Sequence, residues 1–305
     1  MAAPLVAVTG ATGFAGQALL DRAGGAGIAV RALARRAQEE RQGVEWVAGD
    51  LADRPALARL MAGAEAVIHL AGAVSAPDAP AFEEANVAGT WNVISAALAA
   101  GVPRFVHVSS LSVREPQLSA YGASKRRGEQ LVMAAPCDWT VVRPPAIYGP
   151  RDREMLELFR FARRGFMPLP PPGRLSVIHV DDLAGLLLAL LPGGEDVSGR
   201  VFEPDDGHPG GWTHASFARA IGWAVGKRVT PVALPAFALR LAAKGDTLVR
   251  KGGAKLTADR VGYMCHPNWV VGSGAAVPPS RWTSAIPTRE GLKATAQWYR
   301  EAGWL

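Results

Sequence analysis

The chain has little of what marks many protein classes. Its 305 residues include only two cysteines, Cys137 and Cys265. Neither has a cysteine partner at metal-ligand spacing, and two cannot build a disulfide framework. They are expected as reduced, partly buried thiols, and no metal site is expected. Long apolar runs are missing too. The longest apolar helical stretch, Leu183 to Leu191, is too short to cross a bilayer. No leader is legible, because Met1 gives way almost at once to a strand-like run. A soluble, cytoplasmic protein is the default expectation. Basic tracts are absent as well. The net charge of +6 and the pI of about 9.7 come from scattered residues and short pairs. No motif that reads DNA or RNA accompanies them, so no nucleic-acid partner is expected. An anionic cofactor or a membrane surface accounts for the charge equally well. There are no internal repeats or low-complexity tracts.

What remains is a chain that can bury a sizeable core, with 49% hydrophobic and 20% charged residues. It is long enough for one large or two modest domains. Leu5-Val6-Ala7-Val8-Thr9 reads as a buried parallel strand. It ends in Gly10-Ala11-Thr12-Gly13-Phe14-Ala15-Gly16, and a helical pattern follows through Leu19 and Leu20. Strand, glycine turn and helix are the context of a dinucleotide fingerprint. Glycines let the backbone approach a pyrophosphate, and the helix N-terminus offers it N–H groups and a positive dipole end. The spacing here is Gly-x-x-Gly-x-x-Gly.

A second strand, Ile28 to Leu33, runs into Ala34-Arg35-Arg36. An NAD site usually carries an acidic residue there. Two guanidiniums instead favour the 2′-phosphate of NADP over NAD, unless both are merely solvated. A third strand, Val44 to Ala48, closes on Gly49-Asp50-Leu51. The carboxylate of Asp50 is placed to accept from the adenine amino group, with Leu51 against the ring. The next strand, Ala66 to Leu70, ends in Ala71-Gly72-Ala73, small enough for close approach to the cofactor. His69 is expected as a satisfied core histidine. A helix is predicted from about Ala81 to Ala100, with Asn86 in a structural hydrogen bond that holds adjacent strands.

The chemistry concentrates between Ser109 and Lys125, SSLSVREPQLSAYGASK. Tyr121 and Lys125 are four apart and share one helical face. The ammonium is expected beside the phenol, lowering its pKa from about 10. Such a phenol exchanges a proton with a carbonyl or alcohol oxygen near neutral pH. Ser110, after the strand ending at Val108, is expected to hydrogen-bond the same oxygen. Downstream, the strand Asp138 to Arg143 leads into Pro144-Pro145-Ala146-Ile147-Tyr148-Gly149-Pro150, a loop suited to frame the nicotinamide.

The segments TGATGFAG (9–16), GDL (49–51), HLAG (69–72), NVAGT (86–90), HVSS (107–110), YGASK (121–125) and RPPAIYGP (143–150) occur in that order. Together they resemble the extended short-chain dehydrogenase/reductase superfamily, also called the NAD-dependent epimerase/dehydratase family, over roughly residues 5–190. The resemblance implies an α/β fold, a doubly wound parallel Rossmann sheet with a smaller, mostly helical substrate domain. It implies Ser110, Tyr121 and Lys125 as a catalytic triad, with Gly10, Gly13, Gly16, Asp50 and Leu51 on the dinucleotide. Leu70, Val108, Pro144, Ala146 and Ile147 are expected around it, and a homodimer is suggested. Three departures stand out. The Ser110–Tyr121 gap is shorter than in typical nucleotide-sugar epimerases. Leu111-Ser112 replace the Asp-Glu pair of sugar 4,6-dehydratases. Ala34-Arg35 replace an acidic strand end. These features look nearer to the 3β-hydroxysteroid dehydrogenase and lipid-ketone reductase branches.

The expected boundaries are 1–148 for the dinucleotide domain, with 175–200 returning to it, and 149–174 plus 201–305 for the substrate domain. Asp181-Asp182 read as caps or loop anchors after the strand Ser176 to Val180. Six of nine tryptophans lie beyond residue 202, most of them expected in the core. Val232 to Leu241 is nearly all apolar and is expected to pack in a core or against a partner, with a membrane-surface contact as the alternative. The leading expectation is therefore an NAD(P)-dependent reductase of a bulky apolar ketone. The alternatives are a nucleotide-sugar epimerase with tightly held NAD and a non-catalytic dinucleotide-binding subunit.

Overall fold

The computed structural model describes residues 4–250 and 256–305. Met1, on which the leader reading rested, lies outside them. The chain first lays down β1 (Leu5–Thr9), α1 (Phe14–Gly25), β2 (Ala29–Ala34), β3 (Val44–Ala48), α2 (Arg54–Met61) and β4 (Ala66–His69). Next come α3 (Ala79–Glu83), α4 (Gly89–Ala99), β5 (Arg104–Val108), α5 (Ala120–Met133) and β6 (Asp138–Val142). After β7 (Ala146–Tyr148), α6 (Leu156–Arg163), β8 (Phe166–Leu169), β9 (Arg174–Leu175), β10 (Val177–His179) and α7 (Val180–Ala189), the chain returns to the main sheet as β11 (Arg200–Phe202).

The main sheet has seven strands in the order β11-β6-β5-β4-β1-β2-β3. Every pairing is parallel. Apolar residues fill both faces, as continuous hydrophobic strands require. On one face Val6, Val8, Ile68 and Val106 pack with Leu19 and Leu20 of α1 and with Leu183, Leu186 and Leu187 of α7. On the other, Ala7, Val67 and Phe105 pack with Leu57 and Leu60 of α2 and Val93 and Ile94 of α4. The strand order reverses between β1 and β4, and a doubly wound sheet opens its ligand crevice at that point.

The helix predicted from Ala81 to Ala100 runs from Ala79 to Ala99 with a π-helical turn inside it. Asp78 caps α3, a π-helical turn occupies Glu84–Ala88, and α4 follows. The π turn buries Asn86 at its centre. Asp181-Asp182 are also refined. The cap of α7 is His179, whose Nδ1 accepts from the Asp181 N–H. Asp182 anchors a loop by accepting from the Ala285 and Ile286 N–H groups.

The rest of the chain adds β12 (Trp212–Thr213), α8 (His214–Val225), β13 (Thr230–Ala233), α9 (Ala236–Arg250), α10 (Ala258–Met264), β14 (Asn268–Trp269) and α11 (Thr288–Glu301). A second apolar cluster joins α6, α8 and α11 through Phe159, Phe217, Ile221, Leu292 and Tyr299. The tryptophans depart from expectation. Of the six beyond residue 202, only Trp212 is buried, and Trp223 is 45% exposed. Trp282, Trp298 and Trp304 lean on apolar clusters from half-buried positions. Val232 to Leu241 is no core segment either. Pro235 follows β13, and only Leu239 of the new helix's first turns is buried.

Candidate active site

The crevice is lined first by the glycine turn. Gly10 has φ +78°, and a Cβ there would lie 2.6 Å from the Ala71 nitrogen. A Cβ at Gly16 would lie 2.2 Å from the Gly10 carbonyl oxygen. Gly13 is the N-cap of α1 and supplies no side-chain cap, and no acidic residue stands in the first turn. The helix thus presents first-turn N–H groups and its positive dipole end to the crevice, beside exposed Thr12 and half-buried Phe14 and Ala15. These features fit a pyrophosphate. A side chain at Gly10 or Gly16 would fill the turn.

Arg35 and Arg36 follow β2 and are exposed, and no ion pair among the described residues holds either guanidinium. The Gly49 N–H donates to the Ala34 carbonyl, which brings Gly49-Asp50-Leu51 alongside them. Asp50 is partly committed locally, since its Oδ1 accepts from the Ala52 and Asp53 N–H groups. Leu51 is half-buried and packs so closely on α4 that a Cβ at Gly89 would lie 2.7 Å from its Cδ1. Leu70 and Ala71 are half-buried and Gly72 is exposed. Asn86 holds this loop, accepting from the Ala73 N–H at 2.8 Å and donating to the Ala73 carbonyl and to Ser124 Oγ, each at 3.0 Å. Its partners are a loop and α5, not the adjacent strands of the expectation. The amide therefore fixes the post-β4 loop to the helix that carries Tyr121 and Lys125.

Ser109 and Ser110 follow β5. The Ser109 N–H donates to the Val142 carbonyl and the Leu111 N–H to the Pro144 carbonyl. Two strand ends, carrying Ser110 and Pro144, are thereby tied together. Beyond Pro144, Ala146 and Ile147 lie in β7, paired with β10, where a loop was predicted. Ser110 Oγ accepts from the Ser112 N–H at 3.2 Å and from Ser112 Oγ at 3.0 Å. Ser119 caps α5 by accepting from the Gly122 N–H, which sets Tyr121 in the first turn.

The electrostatics differ from the expectation. Burial pushes the Tyr121 phenol up to about 12, partly offset by hydrogen bonds with Ser110 and Ser112 and by the Arg260 charge. Lys125 is anchored on the backbone of β5. Its Nζ donates to the Val108 carbonyl at 2.8 Å, deep in the fold. Burial lowers the Lys125 pKa to about 8, against a partial restoring pull from Glu129. The physical reason is geometric. The lysine reaches the end of β5 and loses its water there. In this state the phenol is a proton donor, held neutral at physiological pH.

His69 is the satisfied core histidine expected, with Nδ1 on Thr9 Oγ1 at 2.6 Å and Nε2 on Thr90 Oγ1 at 3.1 Å. His107 stacks on it at 5.2 Å, and neither ring nitrogen has a partner among the described residues. Burial, followed by the Lys125 charge, lowers both pKa values.

Several site residues were not legible in the sequence. Ser112 adds a second hydroxyl at the phenol. From the C-terminal half of the chain, the Tyr263 ring stands 6.1 Å from Tyr121, and Phe82 stands 6.0 Å from it. Asp259 accepts from the Ala120 N–H at 2.6 Å, pinning α10 to the start of α5. Behind Ser110 lies a buried ionic network. Ser109 donates to Glu129, Glu129 pairs with Arg143 at 2.5 Å, and Arg143 pairs with Glu203 at 3.3 Å. Glu203 accepts from the Gly272 N–H, and Arg114 donates to the Val270 carbonyl. The sequence holds no local signal for these residues, which meet only through the tertiary fold. Among the described residues no cluster of His, Cys, Asp and Glu could hold a metal ion.

Known proteins resemble this chain. The NAD dependent epimerase/dehydratase family model matches residues 6–203. A ceramide reductase of Caulobacter vibrioides is 38% identical over 320 residues, covering 99% of this chain and 96% of that protein. A 2-alkyl-3-oxoalkanoate reductase of Stenotrophomonas maltophilia is 31% identical over 299 residues, covering 87% and 83%. The crystal structure of the Bordetella bronchiseptica enzyme WbmH in complex with NAD+ shares the fold, with a TM-score of 0.75 at 19% identity, covering 98% of this chain and 99% of that one. The chain belongs to the NAD dependent epimerase/dehydratase family.

Proposed function

We propose that this protein is an NADP-dependent reductase of a ketone carried on a long aliphatic chain. The observation that carries the reading is the convergence at Tyr121. Its phenol is held neutral, two serine hydroxyls meet it, and the Phe82 and Tyr263 rings flank it. The similarity to reductases of a ceramide and of an alkyl oxoalkanoate supports a lipid-like ketone.

A bound nicotinamide dinucleotide would supply the hydride for the carbonyl carbon. Gly10, Gly13 and Gly16 would hold its pyrophosphate, and Asp50 and Leu51 its adenine end. Arg35 and Arg36 would pair with a 2′-phosphate, the basis for favouring NADP. Ser110 and Ser112 orient the ketone oxygen by donating to it. Tyr121 hands its proton to that oxygen as negative charge builds there. A phenol of pKa about 12 remains a stronger acid than the alcohol formed, so the transfer runs downhill. Lys125 contributes positive charge beneath the site and a donor for ribose hydroxyls.

The test is a substrate panel with NADPH and NADH. Long-chain 3-oxo lipids are expected to drive cofactor oxidation, faster with NADPH. Conversion of a UDP- or dTDP-sugar with no net cofactor consumption would replace this reading with an epimerase.

A further inference from the structure

Helix α9 turns one face inward and leaves an apolar stripe outside. Leu239 and Ala243 are buried against Val261 of α10. At about 100° per residue, Phe237, Leu241 and Leu248 fall within about 40° of one another on the opposite side. They are 72%, 70% and 80% exposed, and neighbouring Val249 is 82% exposed. Exposed Lys244 lies within the same stripe and exposed Arg240 at its edge. Asp246 is the helix's acidic residue. It projects to the inward side and pairs with Arg250 at 3.1 Å. The outward stripe therefore carries large apolar side chains and cations, with no carboxylate of α9 among them.

A helix of this kind suits a lipid interface, with apolar side chains at the acyl boundary and cations among headgroup phosphates. We propose that α9 docks the protein on an anionic phospholipid bilayer through Phe237, Leu241 and Leu248. A second copy of the chain is the competing occupant. Two-fold pairing through this stripe would bring the Arg240 and Lys244 cations of the two copies together, with nothing acidic on the stripe to meet them. Anionic headgroups supply the missing negative charge.

Packed helices connect the stripe to the candidate active site. Helix α9 packs on α10, and α10 carries Tyr263, whose ring faces Tyr121 at 6.1 Å. At Gly262, α10 meets the Leu118 carbonyl so tightly that a Cβ would lie 2.2 Å from the oxygen. The bilayer and the phenol are thus separated by α9 and α10, a wall two helices thick. A lipid ketone drawn from the membrane would reach Tyr121 along that wall. This delivery role rests on the proposed reductase activity; the docking itself does not.

Vesicle flotation of the full chain tests the proposal, using phosphatidylcholine with and without phosphatidylglycerol. Wild type is expected to float with the phosphatidylglycerol vesicles. The double variant Phe237→Asp, Leu241→Asp is expected to lose roughly tenfold or more of this binding. Lys244→Glu is expected to weaken it by roughly tenfold. Circular dichroism checks the folds, and if the double variant does not fold, Lys244→Glu decides alone. Wild type left in the soluble fraction at every phosphatidylglycerol content overturns the proposal. So does binding that survives the substitutions, or a dimer that the double variant splits without any vesicle binding in wild type. Docking that persists in a protein turning over no ketone leaves this proposal standing and removes the reductase reading.

Discussion

Lys125 Nζ lies 2.8 Å from the backbone carbonyl of Val108, one residue before the Ser109-Ser110 turn. The contact ties the α5 helix to the end of β5.

That placement sets a pH dependence. Burial lowers the Lys125 pKa to about 8. Raising the pH through that value removes the ammonium charge. The rate of ketone reduction at limiting substrate is predicted to fall above about pH 8. The tyrosine contributes little to this limb, because its proton is held until about pH 12. A pH profile of kcat/KM for wild type and Lys125→Met checks the assignment. The limb is expected to disappear in the variant, whose activity is lower throughout by roughly 100-fold or more.

Ser110 and Ser112 share the phenol, so they are expected to share its function. Ser110→Ala is predicted to lower kcat by roughly 100-fold and Ser112→Ala by less, roughly tenfold. Both should leave cofactor affinity intact. Steady-state kinetics beside a fluorescence titration of NADPH separates the two quantities.

Cofactor choice is predicted to rest on Arg35 and Arg36. Replacing both by serine should raise the KM for NADPH by roughly 10- to 100-fold while changing that for NADH little. Equal effects on the two cofactors would place the guanidiniums elsewhere than on a 2′-phosphate.

The Glu129–Arg143 pair is predicted to be a point of structural weakness. Glu129→Ala leaves a half-buried guanidinium facing Glu203 alone and strips Ser109 of its acceptor. Removing one partner of a buried pair costs about 3–5 kcal/mol. Denaturant unfolding should show a loss of that order, with the Ser109-Ser110 turn loosened and activity reduced beyond the loss of fold.

Acid should also destabilise the fold. The His69 pKa is lowered from 6.5 to about 3 by burial, and that of His107 shifts the same way. The unfolded chain therefore binds protons that the folded chain refuses between about pH 6.5 and 3. Stability is fully present above pH 6.5 and declines as the pH falls below it. His69 alone accounts for a loss of about 3 kcal/mol at pH 4. Unfolding free energies measured from pH 7 to 4 check the slope, which His69→Asn should reduce.

The parallel sheet was legible because its strands are short apolar runs, each closed by small or glycine-rich turns such as Gly10 to Gly16 and Ala71 to Ala73. Helical spacing placed Tyr121 and Lys125 on one helix. The lysine's partner was not legible. Where Nζ ends up depends on how α5 sits in the tertiary fold, including its close approach at Gly128 to the π turn at Asn86. A Cβ there would lie 2.3 Å from the Asn86 carbonyl oxygen. The π turn at Asn86 was hidden because its residues carry ordinary helical propensity. Tyr263 and Asp259 were hidden for another reason. They come from a stretch without a motif and reach Tyr121 across about 140 residues of chain through non-local packing. The outward stripe of α9 misled in the opposite sense, since periodicity shows an apolar face without showing what covers it.

The account turns on the Tyr121 phenol protonating a ketone while the carbonyl carbon is reduced. Its most direct test uses NADPH deuterated at the transferable C4 position, a long-chain 3-oxo lipid, and mass spectrometry of the alcohol formed. Wild type is predicted to place one deuterium on the carbinol carbon, and Tyr121→Phe to do so at least roughly 1,000-fold more slowly with NADPH affinity unchanged. Equal rates in the two proteins, or an alcohol without deuterium, would contradict it.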